Sequence, residues 1–403
     1  MTMSAYAIVN AQAAPPAEPY GPARSHVLNA DGFAAALAEI SSWPGYAPTP
    51  LRRLPGLARK FGIGALYYKD ERDRFGLKSF KALGGAYAVA NVLKRRIAAA
   101  TQGLAVTSSD LLGRRYDDLV RSMTVTCATD GNHGRSVAWG AQLFGCACVI
   151  FVHATVSQGR RDAIARYGAH VVEVKGNYDD AVRHAANTAA ANGWTVVSDT
   201  SYPGYREIPT DVMHGYGVMA AEIAAQLDAP PTHVLVQAGV GALAAAVCAD
   251  FWIRWGARRP YFTVVEPIEA DCIARSLAAG HPVAVAGSLD TVMAGLACGE
   301  VSELGWEILR SGAQAAMAVD DASALAAVRL FADGADGDPA VVSGETGAAG
   351  LAALLAAQDD RAIRRTLQLD GNARVLLLGS AGDTDPAIYR QIVGRTAAEV
   401  LSA

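Results

Sequence analysis

The sequence has few charged residues and no block of one sign. Charged side chains make up 18% of the 403 residues, against an average of about 25%, while 51% are hydrophobic. This composition excludes a largely disordered chain, which would combine few apolar residues with a high net charge. The formal net charge is −4, and binding to nucleic-acid phosphates needs clustered Lys and Arg. We therefore expect a globular protein with a large core and no nucleic-acid partner.

Cysteines are scarce, and apolar runs long enough for a membrane span are missing. Six cysteines without a Cys-x-x-Cys pair are too few for a disulfide scaffold, and we predict no metal site. The apolar run at 234–247 is interrupted by glycine and is shorter than the roughly 18–20 residues that span a bilayer. The N-terminal segment has no basic region of the kind that begins a signal peptide. These absences predict a cytoplasmic protein with no membrane partner.

The length and the order of patterns predict two domains of the α/β class. Proline and glycine punctuate residues 1–45, which we interpret as a loosely structured N-terminal arm. Short apolar strands then alternate with helices, as in buried parallel sheets. The alternation predicts a large domain of residues 46–89 and 199–403 and a small domain of residues 90–198. The alanine-rich window 315–327 is interpreted as helix.

Lys81 is the first candidate for chemistry. It lies in Ser-Phe-Lys-Ala-Leu-Gly-Gly (79–85), in the first turn of a helix predicted over 79–100. The positive potential at a helix N-terminus disfavours an ammonium group and lowers its pKa. A lysine that loses its proton easily suits a Schiff-base nucleophile. The alternative is a surface lysine with no chemical role.

A glycine loop follows the apolar strand predicted at 234–236. Gln-Ala-Gly-Val-Gly-Ala (237–242) leads from this strand into a predicted helix. Glycines allow close approach of an anion, and the free N–H groups of a helix N-terminus hold a phosphate. The third glycine of a dinucleotide-binding Gly-x-Gly-x-x-Gly loop is missing, and no Walker sequence follows. A tight strand-to-helix turn without a ligand has equal weight.

A second strand-to-helix turn, Thr-Asp-Gly-Asn-His-Gly (129–134), contains three polar side chains of interest. Asn132 is suited to donate a hydrogen bond to a ring oxygen, and Asp130 is titratable. His133 is interpreted as a structural residue that bonds to the backbone rather than as a catalyst.

A reactive lysine, an asparagine-bearing turn and a phosphate loop are the parts that hold pyridoxal phosphate. In this order, from about residue 45 to 395, they resemble the fold-type II pyridoxal phosphate enzymes, the tryptophan synthase β and threonine dehydratase family. The segments at 79–85, 128–135, 199–205 and 293–300 are similar to those of the diaminopropionate ammonia-lyases in particular. The resemblance implies two parallel-rich αβα domains with the cofactor in the cleft between them, and a homodimer.

The resemblance also implies roles for individual residues. Lys81, preceded by Phe80, would form the Schiff base with the cofactor, and Asn132 would contact the ring hydroxyl. Ser380, after the last apolar strand, would be the partner of the pyridine nitrogen. Glu345 would hydrogen-bond near the cofactor or merely occupy a helix N-terminus. The cofactor phosphate would be bound by the backbone of Gly239, Val240, Gly241 and Ala242.

The implied reaction is elimination of ammonia from D- and L-2,3-diaminopropionate, which yields pyruvate and two ammonia. Asp130 and Asp199 would bind the β-ammonium group and supply the proton that the leaving amine needs. Lys81 and Asp130 would act as bases on opposite faces of the substrate. The alternative within the same chemistry is a dehydratase of serine, threonine or 3-hydroxyaspartate, which would not need the two carboxylates. A non-catalytic protein that binds a small ligand or nucleotide through Gly239–Gly241 is the alternative from another class.

Cys272 and Cys298 are 26 residues apart. In the family that the chain resembles, both segments border the active-site entrance. We hypothesise a reversible disulfide that orders the entrance, with reduced packing cysteines as the alternative.

Overall fold

The computed structural model describes residues 4–129 and 131–402, so Asp130 lies outside the described residues. The chain divides into two compact units. The large unit comprises Pro48–Ser79 and the described parts of Met1–Asp31 and Met219–Ala403. The small unit comprises Gly32–Ala47 and the described part of Phe80–Val218.

Strands and α-helices alternate along much of the described chain. The strands are β1 (Ala5–Val9), β2 (Leu51–Arg53), β3 (Ala65–Asp70), β4 (Thr124–Ala128), β5 (Ala147–His153), β6 (His170–Val174), β7 (Thr195–Val196), β8 (His233–Gln237), β9 (Tyr261–Pro267), β10 (Ala315–Val319) and β11 (Arg374–Gly379). The helices are α1 (Pro22–Ser25), α2 (Ala30–Ile40), α3 (Pro55–Phe61), α4 (Lys81–Ala100), α5 (Ser108–Leu112), α6 (Asp117–Arg121), α7 (Asn132–Phe144), α8 (Gln158–Ala165), α9 (Tyr178–Asn192), α10 (Glu207–Gln226), α11 (Ala242–Trp255), α12 (Cys272–Ala279), α13 (Glu303–Gly312), α14 (Asp321–Asp333), α15 (Ala349–Asp359), α16 (Arg361–Thr366), α17 (Pro386–Val393) and α18 (Ala397–Leu401).

The sheet of the large unit has, among the described residues, the strand order β1-β10-β9-β8-β11-β3-β2. Its five inner strands are parallel, and both edge strands are antiparallel to their neighbours. All five residues of β8 are buried, as expected of a strand inside a parallel sheet. Because β8 and β11 are parallel neighbours, the loops after them start at the same edge of the sheet. In open α/β sheets this carboxyl edge is where ligands bind.

The sheet of the small unit is fully parallel, in the order β6-β5-β4-β7 among the described residues. Helix α7 follows β4 and packs closely on α4. A β-carbon on Gly140 would lie only 2.8 Å from the Cα atom of Ala86, so a larger residue at this contact would separate the helices. The predicted α/β class with parallel-rich sheets is therefore confirmed.

Two expectations about secondary structure are wrong. Part of the segment that we expect to be a loose arm is regular instead, because residues 5–9 form β1 and pair with β10 at the edge of the large sheet. The window 315–327 begins as a strand: β10 is buried along its whole length between β1 and β9. Alanine side chains fit there because they are small enough for close packing, and the pairing outweighs their helix propensity. Helix α14 starts only after Asp320, whose side chain caps it by accepting from the N–H of Ser323.

The limits of the units differ from the predicted domain boundaries. The structure divides the chain after Ser79 and after Val218, where we had expected 89/90 and 198/199. The reason is packing: α4 as a whole lies on α7, and the first half of α10 lies against α4. Across residues 4–129 and 131–402, none of the helices combines enough length with enough apolar character to cross a bilayer.

Because His214 is buried, we expect the protein to become less stable as the pH falls. Burial lowers the pKa of this histidine to about 4, and its ring packs edge-on against Phe33 with 5.3 Å between centroids. An unfolded histidine titrates near 6.5, so below that pH the unfolded chain binds more protons and stability falls towards pH 4. We expect a loss of about 2 kcal/mol between pH 7.5 and pH 5, measured by urea unfolding. His214→Leu should lack this loss and exposed His281→Leu should keep it; an equal loss in both variants would contradict the assignment.

Candidate active site

In the small unit, Lys81 forms an ion pair with Asp199. Lys81 is the first residue of α4, and its Nζ atom donates a hydrogen bond to Oδ2 of Asp199, 118 positions further along the chain. The two side chains keep 22% and 17% of their surfaces exposed. They are thus held in place by the protein and are still accessible to a ligand.

The electrostatic setting of Lys81 differs from the prediction. Burial disfavours its ammonium form, but the charge of Asp199 and the interaction with Tyr216 outweigh burial, and the pKa of Lys81 is raised. The expected lowering by the helix N-terminus is therefore wrong for this arrangement. Asp199 shows the converse: burial opposes its ionisation, but Lys81 and His133 hold its pKa below the usual range. The pair is ionised at neutral pH.

The first turn of α7 contributes His133 and Asn132. The Nε2 atom of His133 is 2.8 Å from the carbonyl oxygen of Val197, which agrees with the interpretation of His133 as a residue that bonds to the backbone. Its Nδ1 atom lies 3.7 Å from Oδ2 of Asp199. Asn132 accepts a hydrogen bond from Arg135. Asp130, the third polar residue of the segment 129–134, lies outside the described residues.

In the large unit, Gly239, Val240 and Gly241 connect β8 to α11, which Ala242 begins. Gly241 has φ +95°, so the loop turns sharply, and this glycine has no side chain with which to cap the first N–H groups of α11. A β-carbon on Gly239 would lie 2.9 Å from Sγ of Cys298 and 3.1 Å from the carbonyl oxygen of Gly295. The loop therefore needs glycine at both positions, and it presents backbone donors at a helix N-terminus.

Ser380 and Glu345 lie close to the end of β11. Gln237, the last residue of β8, donates through Nε2 to the hydroxyl of Ser380 and to the carbonyl oxygen of Leu378, so Ser380 is fixed beside the start of the glycine loop. Glu345 belongs to a turn next to the 381–382 segment, where the N–H of Gly344 donates to Ala381. It does not open a helix, since α15 begins at Ala349.

Cys272 and Cys298 are not joined by a disulfide in the structure. Cys272 is buried at the start of α12, with Sγ 3.9 Å from the carbonyl oxygen of Gly239. Cys298 is adjacent to the same glycine. Both thiols thus border the glycine loop. Burial and the neighbouring Glu266 raise the pKa of Cys272, which favours its thiol form.

Each of these groups of residues, taken by itself, has one of the two features that pyridoxal phosphate requires. The cofactor needs one accessible amine for its aldehyde and an anion site for its phosphate. Lys81 has an amine that is partly exposed beside a carboxylate. The N-terminus of α11, with Gly239 and Gly241 where side chains would fill the space, has the geometry that suits an anion.

Tyr216 is the residue whose place beside Lys81 sequence reasoning missed. It lies on α10, its side chain is fully buried, and its ring centre is 4.6 Å from that of Phe80 and 5.6 Å from Nζ of Lys81. Two glycines make this possible. A β-carbon on Gly84 would lie 2.4 Å from Cε1 of Tyr216, and one on Gly215 would lie 2.2 Å from the carbonyl oxygen of Leu83. Gly84 lies one turn after Lys81, and Gly215 lies next to Tyr216. These two glycines were the signal in the sequence that could have indicated a close contact here.

The chain is similar to known pyridoxal-phosphate dependent enzymes. A family model for pyridoxal-phosphate dependent enzymes matches residues 42–379. The diaminopropionate ammonia-lyase of Escherichia coli (strain K12) is 41% identical over 356 residues, 87% of this chain and 88% of that protein. The diaminopropionate ammonia-lyase of Salmonella typhimurium (strain LT2) is 38% identical over 383 residues, 92% of this chain and 94% of that protein.

Solved structures of diaminopropionate ammonia lyase are similar to this chain over nearly its whole length. The holo diaminopropionate ammonia lyase from Escherichia coli superimposes with a TM-score of 0.88 at 37% identity, over 98% of this chain and 97% of that one. The same enzyme in complex with an aminoacrylate-PLP azomethine reaction intermediate gives a TM-score of 0.86 over 97% of both chains. A threonine deaminase from Solanum lycopersicum, at 23% identity and a TM-score of 0.71 over 96% of both chains, shows the shared fold alone.

The contact between α4 and α10 predicts that Gly215→Ala destabilises the protein. The added methyl group would collide with the backbone at Leu83, and overpacking of this kind costs about 1–3 kcal/mol. Gly159→Ala is the matched control, because Gly159 lies on α8 with open space around it. We expect the control to gain up to about 1 kcal/mol from helix propensity. Thermal unfolding measures both, and equal stability of the two variants would contradict the close contact.

Proposed function

The chain belongs to the pyridoxal-phosphate dependent enzymes and, within them, to the diaminopropionate ammonia-lyase family, and we propose that it eliminates ammonia from D- and L-2,3-diaminopropionate to yield pyruvate and two ammonia. The observation that carries the proposal is the pair of Lys81 and Asp199. It places an amine for the cofactor beside a carboxylate suited to a substrate with two ammonium groups. The 41% identity over most of both chains supports the same conclusion.

Pyridoxal phosphate, when bound, withdraws electrons from the substrate Cα atom, so that its proton becomes acidic and a group on Cβ can leave. We propose that Lys81 holds the cofactor covalently and that Phe80 and Asn132 lie against its ring. Ser380 and Glu345 are proposed to lie near the pyridine nitrogen of the ring. Ser380 already shares a hydrogen bond with Gln237, which supports a fixed orientation of its hydroxyl. The phosphate is assigned to the backbone N–H groups of Gly239, Val240, Gly241 and Ala242.

Asp199 has a role that follows from its charge. It stays ionised because its pKa is lowered by Lys81 and His133 although burial opposes this. Once Lys81 is engaged elsewhere, the carboxylate is free to bind the β-ammonium group of the substrate. An amine is a poor leaving group unless it is protonated, and a carboxylate that holds the ammonium form keeps it so.

Removal of the Cα proton is assigned to two bases. Lys81 is proposed to act on one face of the substrate and Asp130 on the other, which would allow both enantiomers to react. A dehydratase of hydroxy amino acids would have no need of an ionised Asp199 beside Lys81.

We further propose that the enzyme is a cytoplasmic homodimer, because it resembles its relatives. Light scattering on the purified protein measures its mass in solution and so tests the dimer.

Lys81→Ala should abolish turnover while the protein stays folded, because only an amine can form the covalent link to the cofactor. The assay is pyruvate release from D- and L-2,3-diaminopropionate, beside D- and L-serine, with circular dichroism as the check on folding. Steady pyruvate production by a clean Lys81→Ala preparation would overturn the role of Lys81. Faster turnover of serine than of diaminopropionate by the wild type would favour the dehydratase.

Asp199→Asn should lower kcat/KM for diaminopropionate by about 10²–10⁴, because the amide cannot hold the β-ammonium or exchange its proton. Asp118→Asn removes the same charge from an exposed position on α6 and should have no effect. Equal activity of the two variants would exclude Asp199 from the reaction.

Asp130→Asn should slow the D-isomer more than the L-isomer, since the amide keeps the shape and removes the base. Separate kcat values for the two isomers measure this. Equal losses would mean that Asp130 binds the substrate and does not take its Cα proton.

A further inference from the structure

Tyr216 has a feature that packing alone does not explain, namely a hydroxyl group in a fully buried position. Its side chain has no exposed surface, and its ring packs on Phe80 with 4.6 Å between centroids. A phenylalanine would fill the same space without the cost of burying a hydroxyl group. The polar atom therefore calls for an explanation in its surroundings.

The surroundings contain the amine of Lys81. The Nζ atom of Lys81 lies 5.4 Å from the ring centre of Phe80 and 5.6 Å from that of Tyr216, so the two rings flank it. The Tyr216 hydroxyl is buried without a hydrogen-bond partner among the described residues, and the nearby charge of Lys81 opposes the rise that burial gives its pKa. Cations are attracted to aromatic faces at this distance. Lys81 is thus held by the carboxylate of Asp199 between two rings, and the ring of Tyr216 carries a buried hydroxyl group without a partner of its own among the described residues.

The hydroxyl and the carboxylate differ in what they can bind. A carboxylate only accepts hydrogen bonds, so Asp199 holds Lys81 in its ammonium form. A neutral phenol both donates and accepts, so it can hold an ammonium group and also an uncharged nitrogen. Burial raises the pKa of Tyr216 and keeps the phenol neutral, although Lys81 opposes the shift.

We propose that Tyr216 is the positioning residue of Lys81, with a ring and a hydroxyl that keep the nitrogen in one place whether or not it carries a proton. Lys81 must be uncharged when it attaches to the cofactor and charged when it rests on Asp199. Tyr216 maintains its position through this change. The two glycines at the contact between α4 and α10, Gly84 and Gly215, provide the space that the ring requires.

The test removes only the hydroxyl group. Tyr216→Phe is compared with Tyr87→Phe, a control on α4 that loses a hydroxyl group from another buried tyrosine of the small unit. Two properties of the full-length protein are measured. The first is the rate at which the cofactor-freed chain regains the visible absorption of lysine-bound pyridoxal phosphate. The second is kcat and KM for diaminopropionate, which rests on the proposed function.

We expect Tyr216→Phe to attach the cofactor about 10- to 100-fold more slowly and to lose a similar factor in kcat. KM should change by less than about 3-fold, because the role proposed for the hydroxyl group is to hold Lys81 and not to bind the substrate. Tyr87→Phe should match the wild type, and both variants should melt close to it. Attachment and kcat equal to those of the control would overturn the proposal, as would a loss confined to KM.

The two proposals fail in different ways. A wild type that attaches the cofactor but does not release pyruvate from diaminopropionate would refute the proposed function. The attachment rates of the two variants would still decide the role of Tyr216, because that measurement needs no substrate.

Discussion

The close contact between α4 and α10 is the constraint on which the small unit depends. It exists because Gly84 and Gly215 have no β-carbon where the two helices meet, and a methyl group at either position would lie within 2.4 Å of the opposite helix. The contact brings Tyr216 to Lys81. Without it, Lys81 would keep its place at the start of α4 but would lose one of the two rings that flank its nitrogen. The glycines thus serve packing and chemistry at the same time.

The large unit organises its residues through strand order instead. Parallel β8 and β11 end at one edge of the sheet, and Gln237 links the two ends through its bonds to Ser380 and Leu378. The large unit also contains a cluster of buried charged side chains. Lys69 and Arg74 both bond to Glu222 at 2.7 Å, and all three are buried. Such clusters are tolerated because each charge has a partner, and removal of one member leaves an uncompensated charge that costs about 3–5 kcal/mol.

Local patterns were sufficient for part of the fold. The helix that begins at Lys81, the strand at 233–237 and the helix after Gly241 follow from runs of apolar residues and from glycines at their ends, which act within a few residues. Strands β1 and β10 could not be found in this way. They pair across more than 300 positions, and β10 has the composition of a helix. Its conformation is decided by burial between two other strands.

The candidate site, like the fold, could be predicted from local sequence patterns only in part. From its residue types and their order, the sequence by itself indicated a candidate amine at Lys81 and a candidate anion site at the glycine loop, and the resemblance to a known family added the acidic residues as candidates for binding a dicationic substrate. It could not determine the protonation of Lys81, and the helix position alone suggested the wrong direction. The pKa of a side chain depends on burial and on nearby charges. For Lys81 the decisive charge is Asp199, which lies 118 positions further along the chain and reaches the amine only because the chain folds.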